Sequence, residues 1–381
     1  MTVTTHDPRP TELTDWMAVA DHVADAIAPR ADAHDRDGTF VHECFDLIRD
    51  SGILTAPVPA ELGGGGASHA ETGAILRRLG QACASTAVTL SMHDHLVCTQ
   101  VWRWRHGQPA EGILRRVADE RLVLVSTGAS DWLGANGTAR RVDDGFVVSA
   151  RKTPASGAPV GNVLVTSIRW DDAPDGPQVI HCSVPFSAPG VRVEQTWDAT
   201  GLRGTGSDTV VLEDVHVPDA AVSLVRPADR WHPVWNAVLG TALPLIMSAY
   251  LGIADRAVAI ALESARGSDA PHLPALVGTM GNHHAVAEDA VDAMIRAADD
   301  LRFDNVDRAA QIALTRKAIA AEAVIATVRS ALEVVGGRGF AAGHELSRLL
   351  RDAHGGVYHP LPAARQVALT GRIALGLEPA G

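Results

Sequence analysis

The stretch WDATGLRGTGSDTVVLEDVHVPDAAV, from Trp197 to Val222, joins a glycine-rich turn to a segment dominated by Val and Thr. Five similar short segments precede it from residue 121 onward, and Gly, Pro, Asn or Asp separate them. β-Branched residues favour strands, and the close spacing does not suit the helices of βαβ units. We therefore predict that residues 121–225 form an antiparallel β sandwich or barrel and not a dinucleotide-binding fold.

Helical periodicity flanks this segment on both sides. In residues 1–120 the apolar positions recur at helical spacing, and Ser68 with Glu71 three residues later predicts a capping box at a helix start. Residues 226–381 contain long periodic stretches rich in Ala, Leu and Val, typical of an antiparallel bundle. The predicted architecture is α+β: an N-terminal helical domain (1–120), a β domain (121–225) and a C-terminal helical bundle (226–381).

Composition narrows the class of protein. The chain has 381 residues, 46% of them hydrophobic, and a net charge of −12, which argues against nucleic-acid and anionic-membrane partners. Because the four cysteines form no C-x-x-C pair, we expect reduced, buried thiols in a cytoplasmic protein. The first residues, MTVTTHDPRPTEL, lack a basic region followed by an apolar stretch, so we expect no signal peptide. The sequence contains neither an H-E-x-x-H motif nor a Cys/His cluster, so we expect no metal site. The apolar run from Leu243 to Leu262 contains Asp255 and Arg256, which favours a buried helix over a membrane span.

Four motifs, in the expected order, resemble those of the acyl-CoA dehydrogenase family. STGAS (126–130) stands where that family has a flavin-contacting loop, and 197–222 is similar to the signature that closes its β domain. ALEVVGGRGF (331–340) resembles the family's glycine motif near the flavin of a neighbouring subunit. SRLLRDAHGG (347–356) is similar to its R-x-x-R-D-A run. The resemblance spans roughly residues 40–376 and implies the three-part fold and a flavin between the β domain and the C-terminal helices.

The resemblance also implies which residues contact the flavin. Ser126, Thr127 and Ser156 take the positions of donors to its pyrimidine edge and N5, and Pro154 replaces a tryptophan that covers the ring. The alternative is an ordinary loop rich in Ser and Thr. Arg266 matches part of the family's motif for the cofactor tail, and Gly336 and Gly337 match its glycine motif. Glu333, however, stands where the family has Gln. A carboxylate beside an ADP group is unfavourable, so the resemblance implies FAD but leaves FMN open.

The catalytic glutamate of the family is missing. Its usual position, nine residues after the Arg of R-D-A, holds Pro360, and its alternative position falls near Trp235. The neighbouring His359 resembles a residue of two-component flavin monooxygenases that share this fold, such as dibenzothiophene monooxygenase. Those enzymes take reduced flavin from a separate reductase and form a flavin hydroperoxide. A second histidine is expected in SMHDHLV, so we predict His359 and His93 as catalytic, with His95 as the neighbouring candidate.

A structural role for these histidines remains an alternative, because the chain contains 17 of them and His359 could bond a helix end. Three functions remain open. The first is an oxidoreductase acting on an acyl thioester of coenzyme A or an acyl carrier protein, through a relocated base. The second is a reduced-flavin monooxygenase, served by a flavin reductase, that acts on a small aromatic, amine or sulfur substrate. The third is a flavin-binding protein without redox turnover. For each function we expect a homotetramer closed by the apolar C-terminal helices.

Overall fold

The computed structural model describes residues 14–127 and 131–379, and within them helices surround a central pair of β-sheets. The predicted order of helices, strands and helices is confirmed. The N-terminal helices are α1 (Trp16–Ile27), α2 (Ala31–Asp37), α3 (His42–Asp50), α4 (His69–Ala82), α5 (Ala84–Arg105) and α6 (Glu111–Glu120). The strands are β1 (Leu124–Ser126), β2 (Thr138–Val142), β3 (Gly145–Ala155), β4 (Val163–Trp170), β5 (Gln178–Pro185), β6 (Val191–Glu194), β7 (Asp208–Pro218) and β8 (Val222–Pro227). The C-terminal helices are α7 (Val234–Ala265), α8 (Leu273–Ala298), α9 (Asp307–Val335), α10 (Glu345–Ala353), α11 (Gly355–Tyr358) and α12 (Ala363–Ala374).

Helix α4 begins as the sequence predicts. The backbone N–H of Glu71 donates to Ser68 Oγ at 3.1 Å, and the Glu71 carboxylate accepts the backbone N–H of Ser68 at 2.8 Å. This confirmed capping box pairs two backbone donors that a helix start otherwise leaves free. The four glycines before it form the turn that leads into the helix.

The β domain consists of two four-stranded sheets with strand orders β1-β4-β5-β8 and β2-β3-β7-β6. Every pair is antiparallel except β1–β4, which is parallel and aligns Leu124 with Val163. Parallel neighbours need a long crossover connection, and the β2–β3 hairpin of the other sheet supplies it. The end of β1 is thereby brought beside β4.

Helix α7 is the centre of the helical core, packed against α4, α5, α8 and α9. By length and apolar composition it could span a membrane, but 94% of its most apolar window is buried inside the protein, as expected for a core helix. The four cysteines are buried free thiols, as predicted. Helix α5 packs against β1, and Trp235 of α7 lies 5.8 Å from His181 of β5 between ring centroids. Side chains from α5, α7, β1, β4 and β5 therefore meet in one place.

Candidate active site

A cavity of about 200 Å³ lies between the β domain, α5 and α7, and we call it the histidine cavity. Its walls are mainly apolar and aromatic, and the tilted rings of Trp132 and Trp235 lie 4.6 Å apart between centroids. Three histidines reach it from three parts of the fold: His95 from α5, His181 from β5 and His359 from the segment after α11. The other lining residues are Met92, Leu96, Ser126, Thr127, Pro154, Ser156, Val165, Thr166, Ser167, Val238, Leu239, Ala242, Leu243, Ile246 and Pro360.

A second cavity of about 680 Å³ adjoins the first, and we call it the Trp197 cavity. It lies between the 197–207 segment, α10 and the 354–360 segment. Four residues line both cavities and form their common boundary: Pro154, Ser156, His359 and Pro360. A ligand that touches both His359 and Ser156 therefore lies at the junction of the two cavities.

His95 has a fixed tautomer. Its Nδ1 lies 3.1 Å from the backbone oxygen of Ser91, one helical turn earlier, and must carry a hydrogen to donate to that carbonyl. Nε2 is then left with its lone pair. Burial lowers the pKa of His95 to about 4, so the ring is neutral at pH 7. His95 thus offers a hydrogen-bond acceptor, and a base of modest strength, to a ligand in the histidine cavity.

His359 is held by its backbone. Lys317, on α9, donates from Nζ to the His359 carbonyl at 2.6 Å and, at longer range, to the carbonyls of Val357 and Leu361. The His359 ring packs edge-on against Tyr250, with 5.4 Å between centroids. Burial, reinforced by the positive charge of Lys317 and by His95, lowers the pKa of His359 to about 3. The imidazole at the junction is therefore neutral at pH 7.

His181 was missed by the sequence analysis, because a histidine in a strand has no motif around it. The fully buried guanidinium of Arg226 donates from Nε to His181 Nε2 at 2.9 Å, so Nδ1 of that ring carries the hydrogen. Burial and the charge of Arg226 lower the pKa of His181 to about 3. Arg226 also donates to the carbonyls of Asp131 and Leu133 and lies 5.5 Å from the centre of the Trp235 ring. One cation thus fixes both a histidine and an aromatic wall of the cavity.

A buried ion pair supports the same wall, beside His181. Lys152 donates from Nζ to the Asp131 carboxylate at 2.8 Å and to the carbonyl oxygen of Ser167 at 2.6 Å. Ser167 Oγ donates to the same carboxylate at 3.1 Å. The two lysines of the chain therefore have similar tasks, since each ties a loop at the cavity to a rigid element.

The predicted flavin-contacting residues are brought together in part. Ser126, Thr127 and Ser156 all line the histidine cavity, and Thr127 Oγ1 donates to Thr166 Oγ1 at 2.6 Å. The remainder of the STGAS motif, residues 128–130, lies outside the described residues. Ser156 Oγ lies 2.7 Å from Ser207 Oγ.

The other predicted residues lie elsewhere. The ring of His93 is enclosed between α5 and β1: Nε2 lies 3.0 Å from the Leu54 carbonyl oxygen, and Nδ1 accepts the backbone N–H of Leu124 at 3.0 Å. His93 does not line either cavity, so His95 takes the place in the site that the sequence analysis assigned to His93. The predicted contacts to the cofactor tail are distant too, on exposed surface of α7 and at the end of α9: Arg266, Glu333, Gly336 and Gly337. Within one chain they do not meet the cavities.

Both positions where the family would carry its base line the histidine cavity, and they hold Pro360 and Trp235. Among residues 14–127 and 131–379, no Asp or Glu lines either cavity. Asp94 is adjacent to His95 in sequence but is 2% exposed and does not line the cavity. Burial raises the pKa of Asp94 well above its ordinary value, so it is an unsuitable anionic base. The titratable side chains that line the histidine cavity are therefore the neutral imidazoles of His95, His181 and His359.

The residues present fit a flavin. Its flat ring requires apolar walls, which both cavities have, and its polar edge requires a few hydrogen-bonding groups, which Ser126, Thr127 and Ser156 provide. The volume of about 680 Å³ lies within the usual range for ligand cavities, roughly 300–1,000 Å³. The helix–sheet–helix fold and this cavity pair fit a flavin-dependent oxidoreductase.

The chain belongs to the acyl-CoA dehydrogenase family. Residues 16–120 match the family's N-terminal domain and residues 237–356 match its C-terminal domain. An amino sugar nitrososynthase, RubN8 of Streptomyces rubradiris, is 31% identical over 95% of this chain and 90% of its own length. Isobutylamine N-hydroxylase of Streptomyces viridifaciens is 28% identical over 83% of this chain and 85% of its own.

The solved structures agree with this family. KijD3, crystallised with FMN and dTDP-3-amino-2,3,6-trideoxy-4-keto-3-methyl-D-glucose, superposes with a TM-score of 0.84. It is 29% identical, and the match covers 97% of this chain and 95% of KijD3. The family thus includes flavin-dependent enzymes that act on nitrogen as well as acyl-CoA dehydrogenases.

Proposed function

We propose that this protein is a reduced-flavin-dependent monooxygenase that oxidises the nitrogen of a small amine. The observation that carries the proposal is the replacement of both family base positions by Pro360 and Trp235 in a cavity where neutral histidines converge. Removal of an α proton from an acyl thioester requires a well-placed base, typically contributing about 10²–10⁴-fold to the rate. An amine needs no such step, because its own lone pair is the nucleophile.

The overall reaction balances with one external reductant. Bound reduced flavin supplies two electrons and two hydrogens, one oxygen atom of dioxygen enters the amine to give a hydroxylamine, and the other leaves as water. A separate flavin reductase is the expected source of reduced flavin. The amine-oxidising activities named for RubN8 and for isobutylamine N-hydroxylase support nitrogen as the site of oxidation.

The histidines prepare the amine. An ammonium ion has no lone pair, so the substrate nitrogen must be neutral when it reacts. The Nε2 lone pair of His95 can accept an N–H hydrogen of the substrate, and the apolar walls disfavour the charged ammonium form. His181 can donate from Nδ1 to an acceptor on the substrate. His359, at the junction with the Trp197 cavity, is placed to exchange a hydrogen bond with whatever lies between flavin and substrate.

FMN is the form of flavin that we expect. Glu333 would place a carboxylate where relatives that use FAD bind its tail in a neighbouring subunit, and KijD3 was crystallised with FMN. A homotetramer in the cytoplasm remains part of the proposal.

Single-turnover oxidation tests the proposed function. The protein is mixed with photoreduced FMN, ¹⁸O₂ and a panel of small primary amines, and mass spectrometry follows the products. One ¹⁸O atom in a hydroxylamine or a more oxidised nitrogen product is expected. Release of all the oxygen as hydrogen peroxide with every amine would contradict nitrogen oxidation.

The acyl-thioester alternative is favoured by family membership alone, and the same protein tests it. Under anaerobic conditions, oxidised flavin is mixed with butyryl-CoA or octanoyl-CoA, and bleaching of the flavin absorbance is followed. We expect no bleaching, because neither base position holds a carboxylate. Bleaching at about 10 s⁻¹, a rate typical of enzymes, would replace the monooxygenase by a dehydrogenase with a relocated base.

A further inference from the structure

Arg226, on β8, is a fully buried cation that pairs with no carboxylate among residues 14–127 and 131–379. Its guanidinium donates to one histidine nitrogen and to backbone carbonyls. Two acidic residues act on its charge, but each is engaged elsewhere. Asp131 is paired with Lys152 at 2.8 Å, and Asp229 is paired with Arg169 at 3.1 Å. Because a buried charge is costly without an opposite charge, this position favours a ligand that brings a negative group.

His181 connects this cation to the histidine cavity. A guanidinium can only donate, so His181 Nε2 is the acceptor at 2.9 Å and the ring hydrogen lies on Nδ1. A positive charge bonded to one side of an imidazole polarises the ring and makes the N–H on its other side a stronger donor. In the described part of the chain, Nδ1 makes no hydrogen bond of its own. His181 therefore offers the cavity one N–H that a cation polarises.

Trp235 supplies a second free donor beside it. Trp235 lines the histidine cavity and is 7% exposed, and its indole N–H has no partner among the described residues. Its ring lies 5.8 Å from the His181 ring and 5.5 Å from the guanidinium carbon of Arg226. It also belongs to the first turn of α7, where the helix dipole adds partial positive charge. We call the region formed by His181, Trp235 and Arg226 the anion pocket.

The charges around the anion pocket are predominantly positive. Besides burial, three neighbouring basic groups lower the pKa of the His181 ring: Arg226, His232 and Lys152. Asp131 offsets the charge of Lys152, which leaves the charge of Arg226 without a counter-ion. A negative group that accepts from His181 would lie in surroundings of low dielectric constant, where its attraction to a nearby cation is stronger than in water. An ammonium group would be repelled from the same place.

We propose that the substrate is a small amine that also carries a carboxylate, and that the N–H groups of His181 and Trp235 bind this carboxylate. The charge of Arg226 then gains a counter-ion, and the amine is left to the part of the cavity that contains His95. This inference rests on the proposed function, because it names the class of amine that is oxidised. It adds a binding site for a group that takes no part in the oxidation.

Binding measured without turnover tests the anion pocket directly. The whole protein, loaded with oxidised FMN, is titrated by calorimetry with the straight-chain carboxylates from acetate to hexanoate, and with the matching amides from acetamide to hexanamide. Each amide has nearly the shape of its carboxylate but no charge. The best carboxylate should bind about tenfold to a hundredfold more tightly than its amide, as expected for hydrogen bonds to a charged group. Equal affinities throughout the series would overturn the anion pocket.

Two tryptophans provide a variant and its matched control. Trp235→Phe removes the free indole N–H and keeps an aromatic ring, so the preference for carboxylate over amide should fall roughly threefold to tenfold. Trp231 has another buried indole N–H without a partner in the described chain, but it lines neither cavity. Trp231→Phe should therefore leave the preference unchanged. An equal loss of preference in both variants, or none in Trp235→Phe, would contradict the role of the Trp235 N–H.

His181→Phe removes the main donor of the anion pocket while keeping a ring. The preference for carboxylate should fall about tenfold or more, and an unaltered preference in the folded variant would overturn the assignment. Melting curves check the fold, because Arg226 loses its acceptor in this variant. The Trp235→Phe comparison decides the question if His181→Phe does not fold, since the indole N–H makes no bond within the described residues that the substitution could break.

Turnover separates this inference from the proposed function. With reduced FMN and dioxygen, the best of the ω-amino acids from glycine to 6-aminohexanoate should have a kcat/KM about tenfold or more above that of the alkylamine of equal carbon number. Oxidation of amines without preference for a carboxylate would overturn the anion pocket and leave the monooxygenase intact. Tight binding of carboxylates without oxidation of any amine would overturn the proposed function and leave the anion pocket intact.

Discussion

His359 lies where the two cavities meet, and its neutral ring is the clearest single target for mutation. His359→Ala should lower kcat about 10²-fold or more, because the group that bonds flavin or substrate is lost. Flavin affinity and thermal stability should change little, since the anchoring bond from Lys317 reaches the backbone and not the ring. Stopped-flow rates, FMN titration and melting curves measure the three quantities. An unaltered kcat in a stable, flavin-replete variant would remove His359 from the mechanism.

A double variant tests whether His359 and His95 act together. Both line the histidine cavity, and His95 lies close enough to contribute to the lowered pKa of His359. If both contact one flavin–substrate pair, His95→Ala should cost much less activity in the His359→Ala background than in the wild type. Strictly additive losses in kcat would mean that the two histidines serve separate steps.

His93 should behave in the opposite way. It is 1% exposed, and both ring nitrogens bond the backbone, at Leu54 and Leu124. His93→Ala leaves these two buried groups unpaired and creates a cavity, so the free energy of unfolding should fall by about 2–4 kcal/mol. Urea denaturation measures this loss. The kcat per folded, flavin-bound molecule should remain near the wild-type value, and a large drop in it would return His93 to the list of catalytic residues.

The contrast between His93 and His95 shows what sequence can and cannot provide. The motif SMHDHLV indicated that a histidine of α5 serves the site, but residues two apart on a helix point about 200° apart. Only the packing of α5 against β1 and α7 decides which one faces the cavity. His181 and Arg226 were beyond prediction for a similar reason, since strand pairing between β5 and β8 brings them together.

At the scale of elements, helix α9 holds the backbone of His359 in position through the buried ammonium group of Lys317. Lys317→Met removes the donor to the His359 carbonyl while keeping an apolar side chain of similar length. A misplacement of about 1 Å can cost 10²-fold in rate, so we expect kcat to fall tenfold to a hundredfold. Circular dichroism and FMN titration check that the fold and the cofactor site persist. The loss should disappear in the His359→Ala background, and an equal loss there would assign Lys317 a role independent of His359.

The β domain shows which features of a sheet the sequence pattern can predict. Short runs rich in Val and Thr predicted the strands, and the antiparallel pairing is confirmed for most of them. The parallel β1–β4 pair has no signature in either segment. It arises because the β2–β3 hairpin belongs to the other sheet, so the chain returns to β4 in the same direction as β1. That return places Ser126 beside Val165, at the edge of the site.

For the whole molecule, the buried histidines predict sensitivity to acid. Burial lowers the pKa of His69, His93 and His95 from 6.5 to about 4, so the folded state binds fewer protons than the unfolded state between those values. Stability is therefore complete above pH 6.5 and declines as the pH falls toward 4, by up to about 3 kcal/mol for each residue. Circular dichroism against pH should show unfolding within this window. His93→Gln should make the decline less steep, and unchanged stability at pH 4 in the wild type would contradict the burial of these rings.

The outer surface of the C-terminal helices supports a proposed assembly. Large apolar side chains are exposed after α9 and after α12, including Phe340 at 83% and Leu375 at 77%. Exposed apolar area of this kind is usually covered in symmetric oligomers. Sedimentation at micromolar concentration should give a species near four times 40.0 kDa, and a purely monomeric boundary would count against the tetramer.

The two lysines of this protein should be unreactive toward amine-directed reagents in the folded state. Lys152 and Lys317 are 1% and 2% exposed, and no other residue carries a side-chain amine. An amine-acylating reagent should therefore leave every side chain of the native fold unmodified. Any acylation of Lys317, read by peptide mass spectrometry, would report transient opening around His359, and acylation of Lys152 would report opening around Asp131 and Ser167. In proteins with many exposed lysines, labelling cannot be assigned to one local opening. Here each labelled peptide contains one lysine and therefore reports on one part of the site.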